Sequence, residues 1–282
     1  MSVFSLLAVS GPVVHIAPAG VLTIHGVVIT NSMLYGWMSI VVISVALIWV
    51  ARIITIKPQG GFVQFVEAGV EFITNLVHGA FDDKEVAYRY TPYFVTIFFF
   101  ILFNNWLGLL PFVGEGIQSN NYPLLRPFTA DLNATLSIGL VTMAMVYGAS
   151  IKESGGFAKY LRHFFVGSPK NPLYFIIGLL EMFTDLTRVI SLSLRLFLNV
   201  AIGEIVIGVF SYLGHVIAPL TALPFTLIEL FIGALQAYIF TVLATMYLAI
   251  AVNHTNEHQR EEHLTDVVDP ETMGQLQPAG AK

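Results

Sequence analysis

Arg195 stands in the middle of SLSLRLFLN, inside an apolar stretch that runs from Pro172 to Pro219. A charge at the centre of a membrane span costs about 2.5–3.5 kcal/mol on insertion scales. Arginine cannot shed that charge by deprotonating. Either the segment is not in a membrane, or its function needs a cation there. Glu181, Arg188 and Arg195 recur at seven-residue spacing and lie near one helix face, with Asp185, Ser191 and Asn199 beside that stripe. Glu204 follows Arg195 by nine residues, about half a turn beyond complete circuits and about 13 Å along the axis, so the two face apart. In the next apolar stretch Glu229 and Gln236 are again seven apart, on one side.

Two readings of these groups stay open. Glu181 or Asp185 can pair with Arg188 as an ordinary buried ion pair. Arg195 fits that reading less well. Its neighbours at three and four residues are Leu192, Ser191, Leu198 and Asn199. No carboxylate on its own helix neutralises it, so its counter-charge must come from another segment or another subunit. Intramembrane charges of this kind mark ion pathways. Glu204 and Glu229 are protonatable groups in apolar surroundings, and a proton relay needs such groups, separated by hops or by water. A fixed cation is the complementary part. It repels a protonic charge and attracts an incoming carboxylate, so it blocks leakage while prompting a partner acid to ionise.

The elements that carry these residues are membrane helices. Of the 282 residues, 56% are hydrophobic and 11% charged, against about 25% charged in soluble domains. There is no cysteine, which excludes disulfides and thiolate metal sites. The expected fold class is an all-α polytopic membrane protein with about five membrane-embedded helices and one surface amphipathic helix, the last two helices long and tilted. Residues 1–30 read as an arm outside the membrane, without the basic region of a signal peptide. Residues 31–253 form the membrane-embedded domain, and 254–282 a polar, disordered cytoplasmic tail.

Ser32–Ala51, Thr91–Phe112 and Asp131–Ile151 read as spans, the third with Thr129 or Asp131 as helix N-cap. Gly60–Phe81 sets Phe62, Phe65, Val66, Val70, Ile73 and Leu76 on one face and reads as the surface helix. Pro172–Pro219 is one long tilted helix, followed by a break over Gly214–Pro224 and a second long helix to Asn253. Asn104, Asn105 and Asp131 are structural first and polar lining second. His215 packs in a loop or lines an entry mouth. His254, His258 and His263 are solvated interfacial residues rather than a metal site.

Basic residues set the orientation. With the N-terminus outside, Arg52, Lys57, Lys84, Arg89, Lys152, Lys159, Arg162, Lys170, Arg260 and Lys282 fall inside and only Arg126 outside. The positive-inside rule selects that arrangement.

SLSLRLFLNVAIGE (Ser191–Glu204) resembles the signature of subunit a of the rotary, F-type ATP synthase. NNWLGLLP (Asn104–Pro111), TADLNATL (Thr129–Leu136) and LQAYIF (Leu235–Phe240) extend the resemblance over roughly residues 25–253. It implies a proton-translocating stator subunit in a bacterial plasma membrane, C-terminus cytoplasmic. Two offset half-channels serve carboxylates on a rotating c-ring, and Arg195 separates them. Glu204 and Glu229 relay protons, Asn199 and Gln236 line the rotor interface, and Glu181 lies by the inner half-channel. The implied partners are c-ring subunits, peripheral-stalk b subunits, the lipid bilayer and, indirectly, the nucleotide-binding head. No cofactor, metal or nucleic acid is implied, and the coupling ion is a proton by default. Two departures stand out. Leu198 occupies a position that is usually glycine, and Glu229 one that is histidine in some relatives.

The resemblance implies that ATP chemistry belongs to partner subunits, and the chain itself carries no GxxxxGK[ST] phosphate loop. The alternative is a self-contained ion-coupled secondary transporter, which calls for an internal repeat that the sequence does not show. A purely structural membrane subunit is the third reading, and it predicts little effect of neutralising Arg195.

Overall fold

The computed structural model describes residues 19–24, 27–53, 60–110, 113, 118–119, 122–123, 125–153, 156, 172–214 and 217–267. Side chains are described for fewer of these, and not for 21–22, 24, 27, 118–119, 122–123, 172–179, 181–182, 185–186 and 254–267. Six helices carry the fold among these residues: α1 (Asn31–Ile53), α2 (Gly61–Ala80), α3 (Lys84–Gly108), α4 (Leu132–Glu153), α5 (Pro172–Gly214) and α6 (Ala218–Val267). Two short antiparallel hairpins accompany them. β1 (Gly20–Ile24) pairs with β2 (Val27–Thr30), and β3 (Gln118–Ser119) with β4 (Tyr122–Pro123).

All but α2 contain a stretch long and apolar enough to cross a membrane, so the protein is an all-α polytopic membrane protein with five candidate spans. A crossing helix needs about 20 residues. The apolar part of α6, Ala218–Asn253, has 36 residues, which at 1.5 Å each is about 54 Å against a hydrocarbon core of about 30 Å. α5 has 28 in Thr187–Gly214. Two such helices fit only by tilting, bending or projecting beyond the core.

α2 buries Val63, Val66, Ile73 and Val77 and exposes Gln64, Glu71 and Asn75. It runs antiparallel along α3, with His78 beside Tyr88 at one end and Phe65 stacked on Trp106 at the other. Protein therefore covers only part of its apolar surface: Phe62, Phe65, Val70 and Phe72 stay exposed. α3 continues the core against α6, where the Asn105 amide donates to the Gly233 carbonyl (3.1 Å) and the Trp106 indole to the Leu230 carbonyl (3.0 Å). At the other end of that pair, Asn253 and the Ala80–Asp82 backbone exchange longer bonds. α4 packs on α5 and α6. One core joins all six helices, α1 through Val50, with Ile73, Phe94, Ile101, Leu196, Phe240 and Leu248 at its centre.

Three features differ from the sequence reading. The break between the long helices is shorter than Gly214–Pro224: α6 starts at Ala218 and carries Pro224 inside. Proline costs that helix one backbone bond, to the Leu220 carbonyl, and membrane helices tolerate such losses where neighbours compensate. α6 also runs on to Val267, through residues placed in the tail, where Glu, Gln and Arg are good helix formers. Residues 268–282, and 1–18 of the arm, lie outside the described residues. The end of the arm, from Gly20, forms the β1–β2 hairpin and docks on α1. The backbone N–H of Ala19 reaches the Asn31 side chain (3.2 Å), and the Asn31 N–H reaches the Ala19 carbonyl (3.0 Å).

Candidate functional site

α5 and α6 lie antiparallel, and polar groups meet at successive levels along the pair. At the turn, the Thr221 hydroxyl reaches the Phe210 and Ala218 carbonyls (2.9 and 3.0 Å), and Phe210 stacks on Phe225 at 3.8 Å between centroids. One level on, the Glu229 carboxyl rests against Gly203: a Cβ added to that glycine would collide with the carboxyl carbon and both its oxygens. Glu229 is only 8% exposed. Only a residue without a side chain lets the acid lie on the α5 backbone. Glu204, the next residue, is half-buried.

Further along is a groove of about 660 Å³, open on one side and lined by Thr187, Ile190, Ser191, Leu194, Arg195, Leu198, Asn199, Ile202 and Gln236. Arg195 is exposed on it, while Leu192 and Leu196 of the same helix are buried in the core. Arg195 makes no ion pair among the described residues. The Asn199 and Gln236 amide nitrogens are buried, with no hydrogen-bond partner among the described residues. A guanidinium and two primary amides thus present N–H donors in an apolar setting, and a carboxylate is the acceptor that would satisfy them. At the last level the Arg188 guanidinium lies over the Tyr247 ring, 4.9 Å from its centroid, a cation–π contact.

The structure therefore joins Arg195, Asn199 and Gln236 at one groove. It sets Glu229 apart from them, about 10 Å along α6 from Gln236. The side chains of Glu181 and Asp185, the expected partners of Arg188, lie outside the described residues, as do His215 and the side chains of His254, His258 and His263. Asn104 donates to the Phe100 carbonyl of its own helix (2.8 Å). Asp131 caps α4, accepting from the Asn133 N–H (3.0 Å).

Two features had no sequence signal. Arg126, expected in an outside loop, is 3% exposed and donates to the Ala130 carbonyl (3.1 Å). The contact of Gly203 with Glu229 joins two helices, and nothing in either segment alone announces it.

Fold and groove together define a polytopic helical membrane protein with a fixed cation on an exposed helix face and, at another level of the same helix pair, a buried acid. The family model described as ATP synthase A chain matches residues 33–249. The chain belongs to that family. It is similar to proteins named ATP synthase subunit a: 33% identical to one from Anaeromyxobacter dehalogenans (strain 2CP-C) over 83% of this chain and 60% of the relative. It is 31% identical to one from Gloeobacter violaceus over 85% of this chain and 89% of the relative. With one from Myxococcus xanthus the identity is 29% over 83% and 76%. The chain thus spans less than two thirds of the Anaeromyxobacter relative, and most of the other two.

Proposed function

We propose that this chain is the proton-translocating stator subunit of a rotary ATP synthase. Two offset half-channels deliver protons to, and take them from, carboxylates on a rotating c-ring, and Arg195 prevents a short circuit between them. The observation that carries this reading is the groove: Arg195 and the Asn199 and Gln236 amides supply donors there and no acid. An ionised carboxylate arriving on a neighbouring helix would pair with Arg195 and relieve an expensive intramembrane charge. A proton cannot take the same route, because the fixed cation repels it.

Glu229 and Glu204 lie toward the α5–α6 turn, on the path a proton would follow from outside before loading a ring carboxylate. Release after almost a full rotation would run along the opposite end of α5, near Glu181. The chain is not itself a catalyst in this reading; ATP is made on the partner head, which peripheral-stalk b subunits hold against rotation. The N-terminus lies outside and the C-terminus in the cytoplasm of a bacterial plasma membrane, an orientation that the distribution of basic residues supports.

The test is ATP-driven proton pumping in vesicles that carry the assembled complex. Arg195→Ala should lower pumping at least about tenfold with the complex still assembled, the equivalent of about 1.4 kcal/mol or more. Well-coupled pumping by that variant would make Arg195 a structural charge and remove the basis of the reading.

A further inference from the structure

We propose that Leu198 is a size key: the groove accepts a membrane helix that carries glycine or alanine within about one turn of its carboxylate, and disfavours one with a bulky residue there. The proposal rests on the rotor reading above and adds a steric requirement to its partner.

Leu198 follows Arg195 by three residues, so the two side chains are neighbours on one face, about 4.5 Å apart along the axis. Leu198 is 46% exposed, and Ile190 (41%) and Ile202 (55%) continue its stripe. That stripe is distinct from the face of α5 that holds the bundle, where Leu192 and Leu196 are buried. Within the groove it flanks the donors of Arg195, Asn199 and Gln236. The occupant must therefore bring an acceptor and an apolar surface, which describes a membrane helix with one carboxyl group.

Close approach is the difficulty. Packed helices lie about 8–10 Å apart, depending on the side chains at the contact. A carboxylate on the partner reaches the guanidinium only if the axes come close at this level. Leu198 projects into the same gap one turn away. A large residue opposite it would hold the axes apart and break the contact. A small one would receive the leucine as a knob in a hole. Seated there, Leu198 would also exclude water from beside the ion pair.

The experiment is a reciprocal size swap in the assembled complex, read by ATP-driven proton pumping. Small residues of the rotor helix within four positions of its carboxylate are replaced one at a time by leucine. Each variant is paired with Leu198 and with Leu198→Ala, and Arg195→Ala serves as control. At one rotor position at least, leucine should lower pumping about tenfold or more opposite Leu198, and Leu198→Ala should restore most of it, a coupling of the size that contacting residues show. If no position shows rescue, Leu198 is not a size key. The rotor reading survives that result so long as Arg195→Ala lowers pumping about tenfold or more, and falls separately if that variant pumps in a well-coupled way.

Discussion

At the scale of single residues, the groove and the buried acid differ in how far the sequence announces them. Arg195 and Asn199 share a face of α5 as their spacing suggests, and a charge in an apolar run is conspicuous; that Gln236 of α6 meets them there follows from the family resemblance and from no spacing within either helix. The seat of Glu229 is different. It depends on which residue of α5 lies opposite, and no periodicity within α6 reports that. Gly203 is the residue, and its missing side chain is what the carboxyl group occupies. Gly203→Ala should therefore push Glu229 out of its place and lower proton conduction while the complex still assembles. Shortening the acid by one methylene gives room for the new Cβ, so Gly203→Ala with Glu229→Asp should conduct better than Gly203→Ala alone. Passive proton flux through the membrane sector, after removal of the head, measures both. Equal flux in Gly203→Ala and wild type would show that the acid has no need of this seat. Arg126 is opaque for a related reason: a lone arginine in the connection between two spans reads as solvated, and only the fold encloses it.

At the scale of elements, helix existence was legible and helix meeting points were not. Apolar runs of about 20 residues announce spans directly, and the alternation in α2 announces an amphipathic helix. The end of α5 and the start of α6 were read as a wide break because Gly214 and Pro224 bracket it. Contacts across the turn let the helix begin before the proline. Gly214 closes against Thr221, whose hydroxyl serves the Phe210 carbonyl, and Phe225 stacks on Phe210. Thr221→Val removes the hydroxyl and keeps the shape, at a cost of about 1 kcal/mol. Phe225→Ala also opens a gap in a stacked pair and should cost more, about 3 kcal/mol if the site does not collapse. Thermal unfolding of the detergent-solubilised complex should show both midpoints lowered, with Phe225→Ala the lower. The reverse order would mean that the hydroxyl, rather than the ring pair, holds the turn.

At the scale of the whole molecule, the described residues hold five candidate spans, an odd number, which in the proposed topology puts the ends of the membrane domain on opposite sides. Which end faces which side depends on charge, and the two ends of the helices differ sharply. Arg52, Lys84, Arg89 and Lys152 cluster where α1 ends, α3 begins and α4 ends. Arg89 there pairs with Glu153, which also accepts from the Tyr90 hydroxyl (2.9 Å), tying the α3 and α4 ends together. The opposite ends carry Arg126 alone, and it is buried. Retaining the basic cluster in the cytoplasm puts the β1–β2 hairpin outside. Because the chain has no cysteine, single cysteines can report sidedness without a background. Val28→Cys, on an exposed strand position, should react with a membrane-impermeant maleimide in intact cells. Lys152→Cys, exposed at the end of α4, should react only in inverted vesicles. The opposite pattern would invert the molecule. The Glu229 side of the α5–α6 pair would then face the cytoplasm, and the proposed direction of proton entry would reverse with it.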